Sequence, residues 1–406
     1  MDITLSSLNV VIGSNASGKS NFISIFRFLR DIARNGLSNA IAMQGGPEYL
    51  RNARIGLTRP LSIKVDYISD PEYEIIRNNH GSDRFVSARS SGSTYEFSLQ
   101  FHEPGRGFTI LSDRLTVRCE VFDCRAGTKD PAQEGTLIGE GKIVVTSSGG
   151  FVTAAIDLPE ACPFSADDIL PVVFRKRAIP EKTLLLETAF AYPLPHAGKF
   201  FDRLAIYDID PKLPRKGVVI TGKSELEEDG GNLALVIKLI SEDPEKRRKL
   251  ANLIKDVLPF IEDFSVQKFM DVSLILTLRE RYAKQQDLPA SSLSDGTITI
   301  FALIVILYFE NKPFVIIEEP VSHIHPFLVS RIIAMMKEVS LNRQLMITTH
   351  TAEVVKHADL RDILLISRDN DGFSVISRPA DKEEVRTFLA NEVGIEDLYV
   401  QNLLGL

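Results

Sequence analysis

The spacing of apolar positions changes along this chain, and each change predicts an element. Leu8-Asn9-Val10-Val11-Ile12 is short and apolar enough for a buried strand. Phe22, Ile25, Phe26, Leu29, Ile32 and Ala33 then recur at helical spacing, and Asn35-Gly36 suits the C-terminal stop. Between residues 60 and 160 the period becomes two. Tyr95, Phe97, Leu99 and Phe101 alternate with polar residues, as do Leu115, Val117, Cys119 and Val121. Turns such as Pro104-Gly105 and Ser148-Gly149-Gly150 separate these runs, which predicts an antiparallel lobe. From 180 to 260 the pattern is mostly helical. Asp243-Pro244-Glu245 opens one helix, with the Asp as cap and the Pro in the first turn, and Pro259 helps end it. Strands are expected near 264–269 and 272–278, then an apolar helix and a strand at 314–317. A helix over 326–339, a strand at 345–349 and a closing pair at 363–366 and 373–376 complete the series. No sustained heptad or internal repeat is present, so no long coiled coil is expected.

Composition narrows the class. The 406 residues predict two to three domains, and 44% hydrophobic with 25% charged residues predicts a proper core. The net charge of -7 argues against a protein that coats nucleic acid, while leaving local basic patches open. Three cysteines (Cys119, Cys124, Cys162) without metal-ligand spacing suit a reducing compartment, and no signal peptide is seen, so a cytoplasmic protein is expected. The longest apolar run, Ile300 to Phe309, is too short to span a bilayer, so no membrane partner is expected.

The chemistry sits at the ends of three predicted strands. Gly13-Ser14-Asn15-Ala16-Ser17-Gly18-Lys19-Ser20 fits G-x-x-x-x-G-K-S, followed by Asn21. Glycines let backbone N–H groups wrap phosphates, and the following helix presents its positive end. Lys19 reaches the outer phosphates of ATP and the Ser20 hydroxyl suits Mg²⁺. Phe314-Val315-Ile316-Ile317-Glu318-Glu319-Pro320 ends a buried strand in two acids, which repel and need compensation. A metal with triphosphate supplies it, with Glu318 as the Mg²⁺ acid and Glu319 polarising the attacking water. Met346-Ile347-Thr348-Thr349-His350 ends another strand in a histidine placed to sense the γ-phosphate. His323 and His325 have the spacing of a zinc pair but no third ligand nearby in sequence, so dimer contact or packing is favoured. In Ser291-Ser292-Leu293-Ser294-Asp295-Gly296-Thr297, Ser294 and Gly296 offer a hydroxyl and an N–H at a helix start, an anion site far from the first phosphate loop.

Together, the phosphate loop at 13–20, LSDGT at 293–297, IIEEP at 316–320 and ITTH at 347–350 resemble the ABC-type ATPase superfamily. They look most like its SMC/RecF-like branch, including the ATPase half of OLD proteins. The stretches 206–211 and 226–233 look like those of small prokaryotic AAA-type members. The resemblance implies an α/β P-loop NTPase head of ABC type with an antiparallel β lobe and a helical insertion. Its parts would be residues 1–60 and 291–406 for the ATPase core, 61–180 for the β lobe and 181–290 for the helical insertion. It implies Lys19, Glu319 and His350 as catalytic residues, and Gly13 through Asn21 as the nucleotide cradle. Ser294 and Gly296 would act in trans within a homodimer or higher even oligomer. This chain departs from the family by starting almost directly on the phosphate-loop strand, by Glu rather than Asp at 318, and by an unclear glutamine loop, with Gln44 and Gln100 as candidates.

The expected function is therefore an ATP-hydrolysing switch, with ATP and Mg²⁺ as cofactors. The stretch after His350 is short for the nuclease domain of OLD proteins, so a separate effector of an antiphage or toxin-type system is expected. The alternative is a DNA repair or recombination ATPase that clamps DNA, with Arg175-Lys176-Arg177 and Lys246-Arg247-Arg248-Lys249 as phosphate contacts. A transporter ATPase fits poorly, because a whole β lobe separates the phosphate loop from LSDGT. A non-hydrolysing scaffold fits poorly with Glu319 and His350 both present.

Overall fold

The computed structural model describes residues 2–50, 55–68, 74–78, 84–103, 106–125, 127–128, 130–160, 162, 170, 174, 178–188, 197–220, 223–269, 273–283, 286–390, 394–401 and 403–405. The chain forms two compact units, Met1–Ser24 with Leu204–Leu406, and Ile25–Arg203.

The first unit is built on a six-stranded sheet. Its order is Ser374–Ser377, Ile363–Arg368, Leu8–Ile12, Gln344–Thr349, Phe314–Glu318 and Ala205–Tyr207. Neighbours are parallel throughout, apart from the antiparallel pair of Ile363–Arg368 with Ser374–Ser377. Leu8–Ile12 is buried along its whole length, and so are Phe314 to Ile317. Parallel strands covered on both faces read as near-continuous apolar runs rather than as alternation. The helix Asp295–Tyr308 is buried from Thr297 to Leu307, which explains why its sequence is apolar all round. Arg343 closes its C-terminal end, with Nη2 donating to the Ile306 and Leu307 carbonyls at 2.6 and 2.7 Å.

The same unit holds a smaller antiparallel sheet of Ile261–Phe269, Ser273–Glu280 and Asp287–Pro289, with Val218–Val219 on the free edge of Ser273–Glu280. The helices Leu233–Ser241 and Pro244–Val257 send Leu235, Ile237, Leu250 and Ile254 into the common core. Asp243 caps the second of these helices, accepting from Glu245 N and Lys246 N, as its sequence predicts. Some short strands escaped the sequence: Ala205–Tyr207, Val218–Val219 and Asp287–Pro289. Ala205–Tyr207 lies in a region that reads as mostly helical, and three residues are too few to show a period. Its pairing with Val315 to Ile317 makes it a strand.

The second unit is a six-stranded antiparallel sheet. Leu61–Tyr67, Arg84–Phe101, Phe108–Arg125, Thr136–Ser148 and Phe151–Asp157 follow one another, and Glu74–Asn78 also pairs with Arg84–Phe101. The alternating residues are buried as predicted: Tyr95, Phe97, Leu99 and Phe101 on one strand, Leu115, Val117, Cys119 and Val121 on the next. Asp113 is buried among them. It accepts from Tyr95 Oη at 2.9 Å and from Leu185 N at 2.7 Å. Burial pushes its carboxyl up to about 7, against the lowering effect of these two hydrogen bonds. The three cysteines are buried and form no disulfide. The longest helix among the described residues, Lys19–Asn35, has 17 residues, so none of them builds a long coiled coil.

Candidate nucleotide site

Parallel register brings the site together. Val11 pairs with Thr348, and Thr348 pairs with Glu318. Ile12 pairs with Thr349 on one side and Leu365 on the other. Gly13, Glu319, His350 and the residues after Leu365 therefore leave the sheet at the same edge. Clefts at the carboxyl ends of parallel strands are where open α/β sheets bind ligands.

A cavity of about 280 Å³ opens there, lined by Asn15, Ala16, Gly18, Lys19, Ser20, Asn21, Glu319 and Arg368. Among the described residues, only Ala16 (φ +61°) and Glu319 (φ +43°) are non-glycines in the left-handed region, and both line this cavity. Such conformations cost on the order of 1–3 kcal/mol and persist where the surroundings enforce them, typically at functional sites. Gly18 has φ +113°, and a β-carbon on it would run into Ser374. The helix Lys19–Asn35 begins at the loop, so its free N–H groups point toward an anion in the cavity.

Lys19 Nζ donates to the Gly13 and Ser14 carbonyls at 2.7 and 3.2 Å. Burial lowers its pKa, and the nearby Glu319 carboxylate opposes that shift. Glu319 N bonds the Thr348 carbonyl at 3.0 Å, which fixes the strained residue against the neighbouring strand. Its Oε1 lies 2.8 Å from His350 Nδ1, while Oε2 is buried without a hydrogen bond. Ser17 Oγ, in the loop, is likewise buried without a partner. Buried orphan polar atoms are expensive, and a polar ligand with bound water is what such a site fits. Ser20 lines the cavity and Glu318 ends the adjoining strand, so both oxygen donors suit a hard divalent cation.

Three contributors lay outside the sequence motifs. Arg368 ends its strand and donates from Nε to the Ala16 carbonyl and from Nη1 to the Gly372 carbonyl, both at 2.8 Å. Ser374 Oγ donates to the Ser17 carbonyl at 2.8 Å. Tyr399, on the short helix Ile395–Val400, donates to the His350 carbonyl at 3.3 Å. Burial raises the Tyr399 pKa, and the Glu319 carboxylate raises it further. An arginine at a strand end and a tyrosine on a short helix carry no local pattern that would have marked them.

Other candidates lie elsewhere. Ser294 caps the helix Asp295–Tyr308, with Oγ accepting from Thr297 N at 3.1 Å, and neither it nor Gly296 lines the cavity. A β-carbon on Gly296 would come within 2.6 Å of the His323 carbonyl, so only glycine allows that approach. Arg215 grips this stretch, with Nη2 2.6 Å from Asp295 Oδ1 and 2.5 Å from the Leu293 carbonyl. His325 Nδ1 caps the helix Pro326–Ser340, accepting from Phe327 N at 3.3 Å. No group of three metal-ligating side chains is found among the described residues. Gln100, a glutamine-loop candidate, is instead bonded to the Leu57 and Phe101 carbonyls at 2.8 and 3.2 Å, a structural role. Gln44 follows the helix Leu37–Met43 as its C-cap. Arg175-Lys176-Arg177 lies outside the described residues. No described helix is long and apolar enough to cross a membrane.

A P-loop ATPase fold of AAA type is what this sheet, loop and cavity define. The family described as "AAA domain, putative AbiEii toxin, Type IV TA system" matches residues 8–121 and 224–356, more than half of the chain, and the chain belongs to it. No curated protein matches the chain. Among solved structures it is similar to the SMC head domain from Thermotoga maritima, at 14% identity and a TM-score of 0.36, over 93% of this chain and 92% of that one. It is also similar to the Pyrococcus furiosus Smc head domain with an extended coiled coil bound to the C-terminal domain of ScpA. That match has 14% identity and a TM-score of 0.40, over 96% and 94% of the two chains.

Proposed function

We propose that this protein binds and hydrolyses ATP and works as a nucleotide-driven switch. The observation that carries the reading is the convergence of Lys19, Ser20 and Glu319 on one cavity, with His350 bonded to Glu319. Lys19 leaves its two loop carbonyls and neutralises the outer phosphates. Glu319, freed to use Oε2, accepts a proton from the attacking water. His350 fixes the Glu319 carboxylate through Nδ1 and turns toward the γ-phosphate. A divalent cation held by Ser20 and Glu318 supplies electrostatic stabilisation of phosphate charge.

Nucleotide drives the switch by adding contacts across a head-to-head dimer or higher even oligomer. Ser294 and Gly296, which lie outside the cavity of their own chain, close on the nucleotide of the other copy. Hydrolysis removes those contacts and shifts the population back. The family description names a toxin and a type IV toxin–antitoxin system, which supports a regulatory role in such a system or in antiphage defence, with a separate effector chain. The DNA-clamping alternative draws less support. Arg247 pairs with Asp263 at 2.9 Å, and Lys249 sits over the Tyr308 and Phe309 rings at 5.5 and 5.7 Å.

The test is phosphate release by the purified chain with ATP and Mg²⁺, alongside its molar mass by light scattering. Hydrolysis is expected from the wild type. ATP-dependent mass gain is expected for Glu319→Gln, and its loss when Ser294→Arg is added. No phosphate release above a Lys19→Ala control would remove the ATPase reading. A monomer mass under every condition would remove the trans role of Ser294 and Gly296.

A further inference from the structure

The cavity holds two cations, and the phosphate-loop motif accounts for only one of them. Arg368 lines the cavity together with Lys19 and Glu319, and its side chain donates to backbone carbonyls rather than to a carboxylate. Its position is built. It is the last residue of Ile363–Arg368, and the turn after it is closed by Asp369 N to the Phe373 carbonyl at 2.9 Å and by Phe373 N to Asp369 Oδ1 at 2.8 Å. From that turn Ser374 reaches the Ser17 carbonyl, so the hairpin walls the phosphate loop. Arg368 itself holds the carbonyl of Ala16, the strained residue of the loop. These bonds use two of the five N–H groups of the guanidinium. The remaining donors belong to a permanently charged, planar group suited to phosphate oxygens.

We propose that Arg368 is a second phosphate-binding cation of this site. It contacts the phosphates of the bound nucleotide while it holds Ala16 in place. Lys19 is partly offset by Glu319 nearby, and a magnesium-bound triphosphate is still an anion, so the site needs a further positive charge. The inference rests on the nucleotide-binding reading above.

Titration of the intact chain with fluorescent ATP and ADP tests it, with Mg²⁺ present and with melting temperatures taken without nucleotide. Arg368→Gln is expected to weaken both nucleotides by about tenfold or more, the loss typical of a hydrogen bond to a charged group. Ser374→Ala removes the hairpin's other hold on the loop and is expected to stay within about twofold of wild type, since a partly exposed neutral hydrogen bond contributes little. Arg368→Lys keeps the charge and is expected to bind more tightly than Arg368→Gln. Should the Gln variant fail to fold, Arg368→Met takes its place, with about tenfold weaker binding of both nucleotides carrying the proposal and wild-type binding overturning it. Arg368→Gln binding like wild type overturns it, and so does Ser374→Ala binding as weakly as Arg368→Gln, which would leave only loop support. Failure of the nucleotide reading looks different: the wild type itself would not bind, whereas Lys19→Ala weak and Arg368→Gln unchanged refutes this inference alone.

Discussion

Two carboxylates, one buried and one half-buried, show how differently the two units use polar groups. Asp113, in the antiparallel sheet, has both oxygens satisfied, by Tyr95 Oη and Leu185 N. Glu319, at the edge of the parallel sheet, has one oxygen on His350 and the other without a hydrogen bond. In an antiparallel sheet neighbouring strands end at opposite edges, so polar residues on them do not converge. In a parallel sheet every strand ends at one edge, and the residues that follow are brought together. The lesson is that a half-buried carboxylate with one buried oxygen left unsatisfied at such an edge marks a site, while a fully satisfied one marks architecture.

The largest expected effect breaks the active side of that comparison. Lys19→Ala should cost about a thousandfold or more in kcat/KM for ATP, since affinity and transition-state stabilisation are lost together. Phosphate-release kinetics measure it.

The architectural side is tested by pH. Asp113 binds a proton in the folded state up to about pH 7, whereas the unfolded chain releases it near the ordinary value of 3.8. The folded state therefore holds more protons between those values, and stability falls as pH rises through that window, then levels off. The drop is at most about 4 kcal/mol. Denaturant titrations at pH 5, 6, 7 and 8 read it directly. Asp113→Asn should be less stable at low pH, having lost an acceptor, and should lack this fall. A wild-type midpoint that rises from pH 5 to 7 in step with an unchanged Asp113→Asn profile would contradict the assignment.

Glu319→Gln comes next, with kcat lowered about a hundredfold and ATP affinity kept, because the amide still fills the space but takes no proton. Equal loss of kcat and affinity would turn Glu319 from a base into a binding residue. The smallest effect is expected for Tyr399→Phe. Removing the bond to the His350 carbonyl should lower kcat by a few-fold and leave KM within about twofold, as loss of one neutral hydrogen bond allows. A change in KM alone would place Tyr399 in nucleotide binding instead.

Local physics was legible in the chain itself. Apolar runs marked the buried parallel strands, period-two alternation marked the antiparallel sheet, and Asp243 with Pro244 marked a helix start. The phosphate loop, the two acids and the histidine were each visible because their chemistry lies within a few consecutive residues. What joins them did not show. The register of Val11 with Thr348, and of Thr348 with Glu318, spans most of the sequence and leaves no mark in the local period. Ala205–Tyr207 is a strand only because Val315 to Ile317 lie beside it. Arg368, Ser374 and Tyr399 reach the site through a hairpin and a short helix whose sequences look ordinary. Composition, periodicity and motif are properties of neighbouring residues, so the sequence by itself determined the pieces of this ATPase fold. Which pieces meet depends on long-range strand pairing and burial, and only the tertiary structure decided that.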